Sequence, residues 1–114
     1  MRDNVVQQKS FDFALEIIAL YCELRDQHEY VLAKQLLRSG TSIGANVEEA
    51  LAGQSRNDFI AKLSIARKEA RETRYWIRLL QHSQLASVDL AQILEHNEEI
   101  LRLLTSIIKS TDSH

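Results

Sequence analysis

Seven residues recur at spacings that alternate between four and three from residue 59 to residue 80. They are mostly apolar: Phe59, Leu63, Ala66, Ala70, Thr73, Ile77 and Leu80. This spacing places all of them on one face of an α-helix and is typical of the heptad seam of packed helices. The pattern therefore predicts a long amphipathic helix, about 56–82, that packs against other helices at shallow angles.

The rest of the chain favours the same kind of structure. Its 114 residues include no proline and only three glycines, whereas an all-β protein needs many turns that use both. Further helices are predicted at about 10–26, 29–52 and 88–109. Because short connections favour antiparallel neighbours, we expect a single all-α domain, residues 1–114, folded as an up-down-up-down four-helix bundle.

The first and fourth helices each show one apolar face. In the first, which we expect Ser10 to cap, the predicted inward face is Phe11, Ala14, Leu15, Ile18, Tyr21, Cys22 and Arg25. In the fourth, it is Leu90, Ile93, Leu94, Asn97, Leu101, Leu104 and Ile108. A lone cysteine on such a face is more often a core residue than a nucleophile, and it cannot form a disulfide within the chain.

The second helix contains a weak segment, RSGTSIGAN, at residues 38–46. A glycine inside a helix costs about 1 kcal/mol relative to alanine, so either the helix breaks here or the fold needs small residues. The apolar residues before and after the segment lie on the same helical face, which favours one continuous helix. Gly40 and Gly44 share a face that a neighbouring backbone can approach closely. Because Ala66 and Ala70 are also small, we expect the second and third helices to pack closest at their centres.

Polar residues beside these faces are candidates for specifying how the helices pair. The set is Arg38, Ser39, Asn46, Glu49, Glu69 and Glu72. A buried asparagine can specify one pairing of helices, and Arg38 can neutralise a carboxylate nearby. The alternative is that Asn46 and Glu49 are ordinary residues of a helix surface.

The third helix also has a basic flank. Residues 56–78 hold seven basic residues against three acidic ones, whereas residues 83–114 hold two against five. The candidate interface or nucleic-acid-binding residues are Arg67, Lys68, Arg71, Arg74 and Arg78. The arginines each follow a seam position by one residue, so they lie about 100° round the helix from the core. The opposite flank carries Ile65, Glu69, Glu72, Trp76 and Leu79.

Three interpretations of the arginines remain open. They keep a bundle flank solvated, they form ion pairs across a subunit interface, or they bind phosphate. Glu69 and Glu72 on the same helix and a net charge of −2 argue against strong nucleic-acid binding. We interpret Trp76 as a core or interface residue rather than a base-stacking platform.

Signatures of catalysis and of metal binding are missing from the sequence. No glutamate has a histidine three residues later, and no glycine-rich phosphate loop is present. Surface positions are predicted for all four histidines: His28, His82, His96 and His114. Arg78 and His82 are a weak candidate pair for a ribonuclease. We therefore expect no enzyme, no metal, no cofactor and no small-molecule substrate.

The sequence also bears on where the protein works. No run approaches the ~18 apolar residues of a membrane span, and the first residues lack the apolar core of a signal peptide. The single cysteine suits a reducing compartment. We expect a soluble cytoplasmic protein that does not bind membranes.

Residues 35–80 resemble a bacterial four-helix-bundle family, the proteins encoded by intervening sequences in 23S ribosomal RNA genes. The matching residues are Gln35, Leu36, Arg38, Ser39, Ser42, Ile43, Ala45, Asn46, Val47, Glu49, Ser55, Phe59, Lys62, Leu63, Lys68, Glu69, Ala70, Glu72, Thr73, Tyr75 and Trp76. Val47 stands where the family more often has isoleucine. No catalytic residue is attributed to the family.

The resemblance implies a left-handed antiparallel bundle and a homo-oligomer. Relatives of the family include the accessory variability proteins of diversity-generating retroelements, which form homopentameric barrels and contact a reverse transcriptase and nucleic acid through a basic surface. We therefore expect a non-enzymatic protein that assembles, by this resemblance, as a ring of five copies. Binding of RNA or of an RNA-handling protein through the basic third helix is the alternative, and a ribonuclease is a remote one.

Overall fold

Four helices form almost all of the chain. The computed structural model describes residues 2–113. The helices are α1 (Arg2–Asp26), α2 (Val31–Leu51), α3 (Arg56–Ser83) and α4 (Ala91–Asp112). No β-strand occurs within the described residues. The prediction of an all-α four-helix bundle is confirmed. The prediction for His114 lies outside the described residues.

Each helix packs against two others, which gives a bundle 47 Å long and about 20 Å across. The contacts join α1 to α2 and α4, and α3 to α2 and α4. Gln7 near the start of α1 donates from Nε2 to Oε1 of Glu48 near the end of α2, at 3.0 Å. A contact between the start of one helix and the end of the next is expected when the two helices are antiparallel. The left-handed twist of the bundle and its assembly into a ring remain predictions.

The predicted seam of α3 forms the centre of the core. Leu63, Ala66, Ala70, Thr73, Ile77 and Leu80 are all buried. Phe59, at the start of the seam, is half-buried. Side chains that are removed from water in this way supply the main favourable term of folding.

The predicted inward face of α1 is wrong. The buried residues of α1 are Val6, Ser10, Phe13, Ile17, Leu20 and Leu24. The residues predicted to be inward include four exposed ones, Phe11, Leu15, Ile18 and Arg25. Two faces of α1 carry apolar residues at helical spacing, so periodicity alone does not decide between them.

The predicted start of α1 is also wrong. The helix begins at Arg2, and Ser10 is buried inside it, with its hydroxyl donating to the Gln7 carbonyl at 3.1 Å. The additional turns bring Val6 into the core. The serine therefore satisfies its polar group within its own helix and does not act as an N-cap.

The second helix continues through its glycines, as the apolar phase predicts. However, the glycines face α1 and not the small residues of α3. A β-carbon on Gly40 would contact Ile17, and one on Gly44 would contact the backbone oxygen of Ser10 at 3.3 Å. The close approach of a neighbouring backbone therefore occurs at Gly44, but α1 provides it.

Local side chains set several helix ends. The hydroxyl of Ser55 accepts from the Asp58 amide at 3.1 Å, which makes Ser55 the predicted N-cap of α3. The carboxylate of Glu29 accepts from the Leu32 amide at 2.7 Å at the start of α2. That of Asp89 accepts from the Ala91 amide at 3.1 Å, where α4 begins three residues later than predicted.

Candidate functional site

The flank of α3 that faces α2 holds an ionic cluster within one chain. Arg38 donates from Nη1 to Oε2 of Glu69 at 3.0 Å and also pairs through Nη2 with Oε2 of Glu72. The same Glu72 oxygen accepts from Nε1 of Trp76 at 3.1 Å. The Glu69 side chain is only 13% exposed. The acidic residues of this flank therefore pair with α2 of their own chain, which leaves them less available to another subunit.

Beneath this cluster, two hydroxyl groups meet in the core. Ser39 of α2 and Thr73 of α3 are fully buried, and their hydroxyl oxygens are hydrogen-bonded at 2.9 Å. The Thr73 hydroxyl also lies 2.8 Å from the backbone oxygen of Glu69. A shift of α2 along α3 would break the bond between the two hydroxyl groups and take the buried Ser39 hydroxyl away from its partner on α3, which is costly. The pair therefore favours one register of the two helices.

Of the six helix-pairing candidates, two do not join this cluster. The Asn46 side chain donates to the Ser42 carbonyl of its own helix at 2.8 Å, and Glu49 is exposed. Because the Asn46 amide is satisfied locally and Glu49 faces water, neither residue needs a partner on α3. These surroundings favour the alternative that Asn46 and Glu49 are ordinary residues of a helix surface, and a role for them in helix pairing stays a prediction.

A buried asparagine does occur, but on α4. Asn97 is fully buried, and its Nδ2 donates to the Ala70 carbonyl of α3 at 3.0 Å. Its Oδ1 is buried without a hydrogen-bond partner among the described residues. The sequence pattern had placed Asn97 on the inward face of the fourth helix. A polar residue within an apolar face is the signal that would have identified it as a candidate for helix pairing.

The basic flank of α3 faces α4, and its residues differ in their surroundings. Arg74 donates from Nη1 to Oε1 of Glu98 at 3.3 Å. Arg67 is half-buried, and its Nε has no hydrogen-bond partner among the described residues. Arg71 and Arg78 are exposed, and so is Lys68, which lies further round α3 on its outer side. The five cations that were grouped together from the sequence therefore divide into two half-buried and three exposed ones.

A groove between α3 and α4 collects positive charge from both helices. Its volume is about 520 Å³, and it is lined by Arg71, Arg74, Glu98, Leu101, Arg102, Thr105, Ser106 and Lys109. The sequence did not identify Arg102 and Lys109, because the net charge of the segment that contains α4 is negative. Only the three-dimensional arrangement places its two cations beside the arginines of α3.

The outer face of α1 is an exposed apolar surface. Phe11, Leu15 and Ile18 are 58%, 53% and 44% exposed. Their spacings of four and three place them side by side along the helix. Cys22 continues the same face and is half-buried. Unlike the ionic cluster on α3, this face has no helix of its own chain to cover it.

The described residues contain no group of three His, Cys, Asp or Glu side chains placed to hold a metal ion. Arg78 and His82 are both exposed near the end of α3. His96 is half-buried, and its Nδ1 lies 2.7 Å from Oε1 of Glu16 on α1. None of the described helices is long and apolar enough to span a membrane.

The fold and these surfaces define an all-α four-helix bundle with polar contacts between its helices. The chain belongs to the 23S rRNA-intervening sequence protein family, whose model matches residues 2–106.

The chain is also similar to a solved structure, a protein of unknown function from the S23 ribosomal protein family of Bacteroides thetaiotaomicron VPI-5482. The two are 52% identical, with a TM-score of 0.91, over 96% of this chain and 99% of the other. No curated protein matches the chain.

Proposed function

We propose that this protein is non-enzymatic and assembles with copies of itself. The observation that carries the proposal is the second apolar face of α1. A surface helix of a monomer normally has one apolar stripe, which faces its own core. Here Val6, Phe13 and Ile17 fill the core, while Phe11 and Leu15 remain on the outside. Contiguous exposed apolar surface is typical of a protein interaction site.

The resemblance to pentameric relatives supports a ring of five copies. Such a ring would have a mass of roughly five times the 13.1 kDa of one chain. Each copy in a ring meets two others, so each bundle must offer contact surface on two sides.

The test compares two leucines of similar exposure, Leu15 on α1 at 53% and Leu85 in the α3–α4 connection at 57%. We expect light scattering of the unchanged protein to give a multiple of the chain mass. Leu15→Glu should shift the protein to a monomer, and Leu85→Glu should not. Circular dichroism would show that both variants keep their helices. A monomeric unchanged protein at all concentrations would overturn the proposal.

A second candidate function is binding of RNA in the groove between α3 and α4. The observation that favours it is that Arg71, Arg74, Arg102 and Lys109 line one groove against the single carboxylate of Glu98. Arginine and lysine side chains of this kind bind phosphate, and such binding weakens steeply as salt rises.

The test of this second function uses a variant that leaves α3 unchanged. Arg102→Glu combined with Lys109→Glu should abolish binding of single-stranded RNA in a filter or anisotropy assay. Lys34→Glu, on the exposed side of α2, is the matched control. The candidate function fails if the unchanged protein binds no RNA at low salt, or if the groove variant binds as well as the control.

A further inference from the structure

We propose that the outer face of α1 in one copy packs on the outer face of α3 in the next copy. The inference rests on the proposed self-assembly and names the surface that the apolar face of α1 meets. Each contact would join two different surfaces, as in a head-to-tail assembly, which closes into a ring when the rotation between copies allows it.

The outer face of α3 has the apolar character that the contact requires. Ile65, Tyr75 and Leu79 are 42%, 57% and 37% exposed. Lys68 and Glu72 occupy the helical positions between them, so the five residues follow spacings of three and four along one ridge. The Tyr75 ring packs edge-on against Trp76, with ring centroids 5.2 Å apart, which restricts its orientation. The ridge is therefore long and partly apolar.

The positions of the two helices allow both faces to be occupied at once. No Cα atoms of α1 and α3 come within 8 Å of each other among the described residues, because α2 and α4 lie between them. The outer faces of α1 and α3 therefore lie on opposite sides of the bundle. One copy can present its α1 face to one neighbour and its α3 face to another.

The charges beside the two faces are complementary. Asp12 and Glu23 are exposed on the side of α1 that faces α4, the side on which Glu16 pairs with His96. Arg71 and Arg78 are exposed on the side of α3 that faces α4. Among the described residues neither arginine forms an ion pair. An acidic flank and a basic flank thus accompany the two apolar ridges, in the way that e and g positions set partner choice in coiled coils.

Pairing of α1 with α1 of a second copy is the competing arrangement. In an antiparallel pair of identical helices, equivalent flanks face each other, so Asp12 and Glu23 would lie against carboxylates of the second copy. Like charges placed together oppose association. Packing against α3 avoids this repulsion and places the same carboxylates near Arg71 and Arg78.

Charge reversal provides the test. One variant carries Asp12→Lys and Glu23→Lys, a second carries Arg71→Glu and Arg78→Glu, and a third carries all four changes. We expect each double variant to weaken assembly at least roughly ten-fold in a sedimentation equilibrium titration, and the quadruple variant to recover it. Lys34→Glu combined with Arg56→Glu, two exposed positions outside both ridges and outside the groove, is the control for reversal of two charges elsewhere, and it should assemble normally.

A second pair of variants separates this inference from the proposed function. Tyr75→Glu should disrupt assembly as strongly as Leu15→Glu, with circular dichroism confirming that both variants stay helical. If Leu15→Glu disrupts assembly while Tyr75→Glu does not, the α1 face meets some other surface and only this inference is overturned. Failure of the quadruple variant to recover assembly would overturn it as well. A monomeric unchanged protein would overturn both proposals.

Discussion

Gly40 of α2 lies so close to Ile17 of α1 that a β-carbon on the glycine would be 2.6 Å from Cγ1 of the isoleucine and 2.9 Å from its Cγ2. Both atoms are next to the branch point of the Ile17 side chain, so they cannot swing away as the end of a long side chain can. Both residues are buried. The contact explains why α2 keeps a glycine that costs about 1 kcal/mol of helix propensity.

Gly40→Ala should therefore destabilise the protein. Overpacking a core typically costs 1–3 kcal/mol, and the gain in helix propensity offsets only part of it, so we expect the free energy of unfolding in urea to fall by about 1–2 kcal/mol. Gly44→Ala should cost less, because its nearest neighbour would be 3.3 Å away. In Gly40→Ala combined with Ile17→Ala, the loss should be smaller than the sum of the single losses. An equally stable Gly40→Ala variant would contradict this account.

Asn97→Leu should stabilise the protein. The side chain keeps its branched shape and no longer buries an oxygen that has no partner among the described residues. We expect the free energy of unfolding to rise by about 1 kcal/mol, because an unsatisfied buried polar group costs about 1–3 kcal/mol. Asn97→Asp replaces the donor to the Ala70 carbonyl with a buried carboxylate and should cost roughly 3 kcal/mol. A loss of stability in Asn97→Leu would contradict this prediction and show that the buried amide stabilises the fold.

The pair of Arg38 and Glu69 should contribute measurably to stability. A double-mutant cycle with Arg38→Ala and Glu69→Gln should give a coupling energy of about 0.5–1 kcal/mol, since the carboxylate is largely shielded from water. The matched control is Lys9 with Glu99, whose side chains are 40% and 41% exposed. Its coupling should be smaller and should vanish in high salt, because water and ions screen it. Equal coupling energies for the two pairs would show that burial of the Glu69 carboxylate does not strengthen its interaction with Arg38.

Gln84→Gly should stabilise the protein, while the same substitution three residues earlier should destabilise it. Gln84 ends α3 with a φ angle of 58°, in the left-handed region that glycine adopts without strain. We expect the free energy of unfolding to rise by about 0.5–1 kcal/mol. Gln81 lies within the helix, so Gln81→Gly should lower that free energy by up to about 1 kcal/mol. Thermal unfolding followed by circular dichroism would measure both, and a shift in the same direction for both variants would argue against this explanation.

The sequence by itself determined the presence of four helices, the seam of α3, the N-cap at Ser55 and the family. These follow from local spacing and from the chemistry of neighbouring residues, which do not depend on where the other helices lie. It also identified Arg38, Ser39, Glu69 and Glu72 as polar residues beside a packing face.

Only the tertiary structure decided which of the two apolar faces of α1 is buried, because both have the same helical spacing. The structure likewise decided that Gly40 and Gly44 pack against α1 and not against α3. The grouping of Arg71 with Arg102 depends on α3 and α4 lying side by side. Local pattern specifies a helix and its faces, whereas the choice of partner for each face depends on how completely all the faces can be buried together.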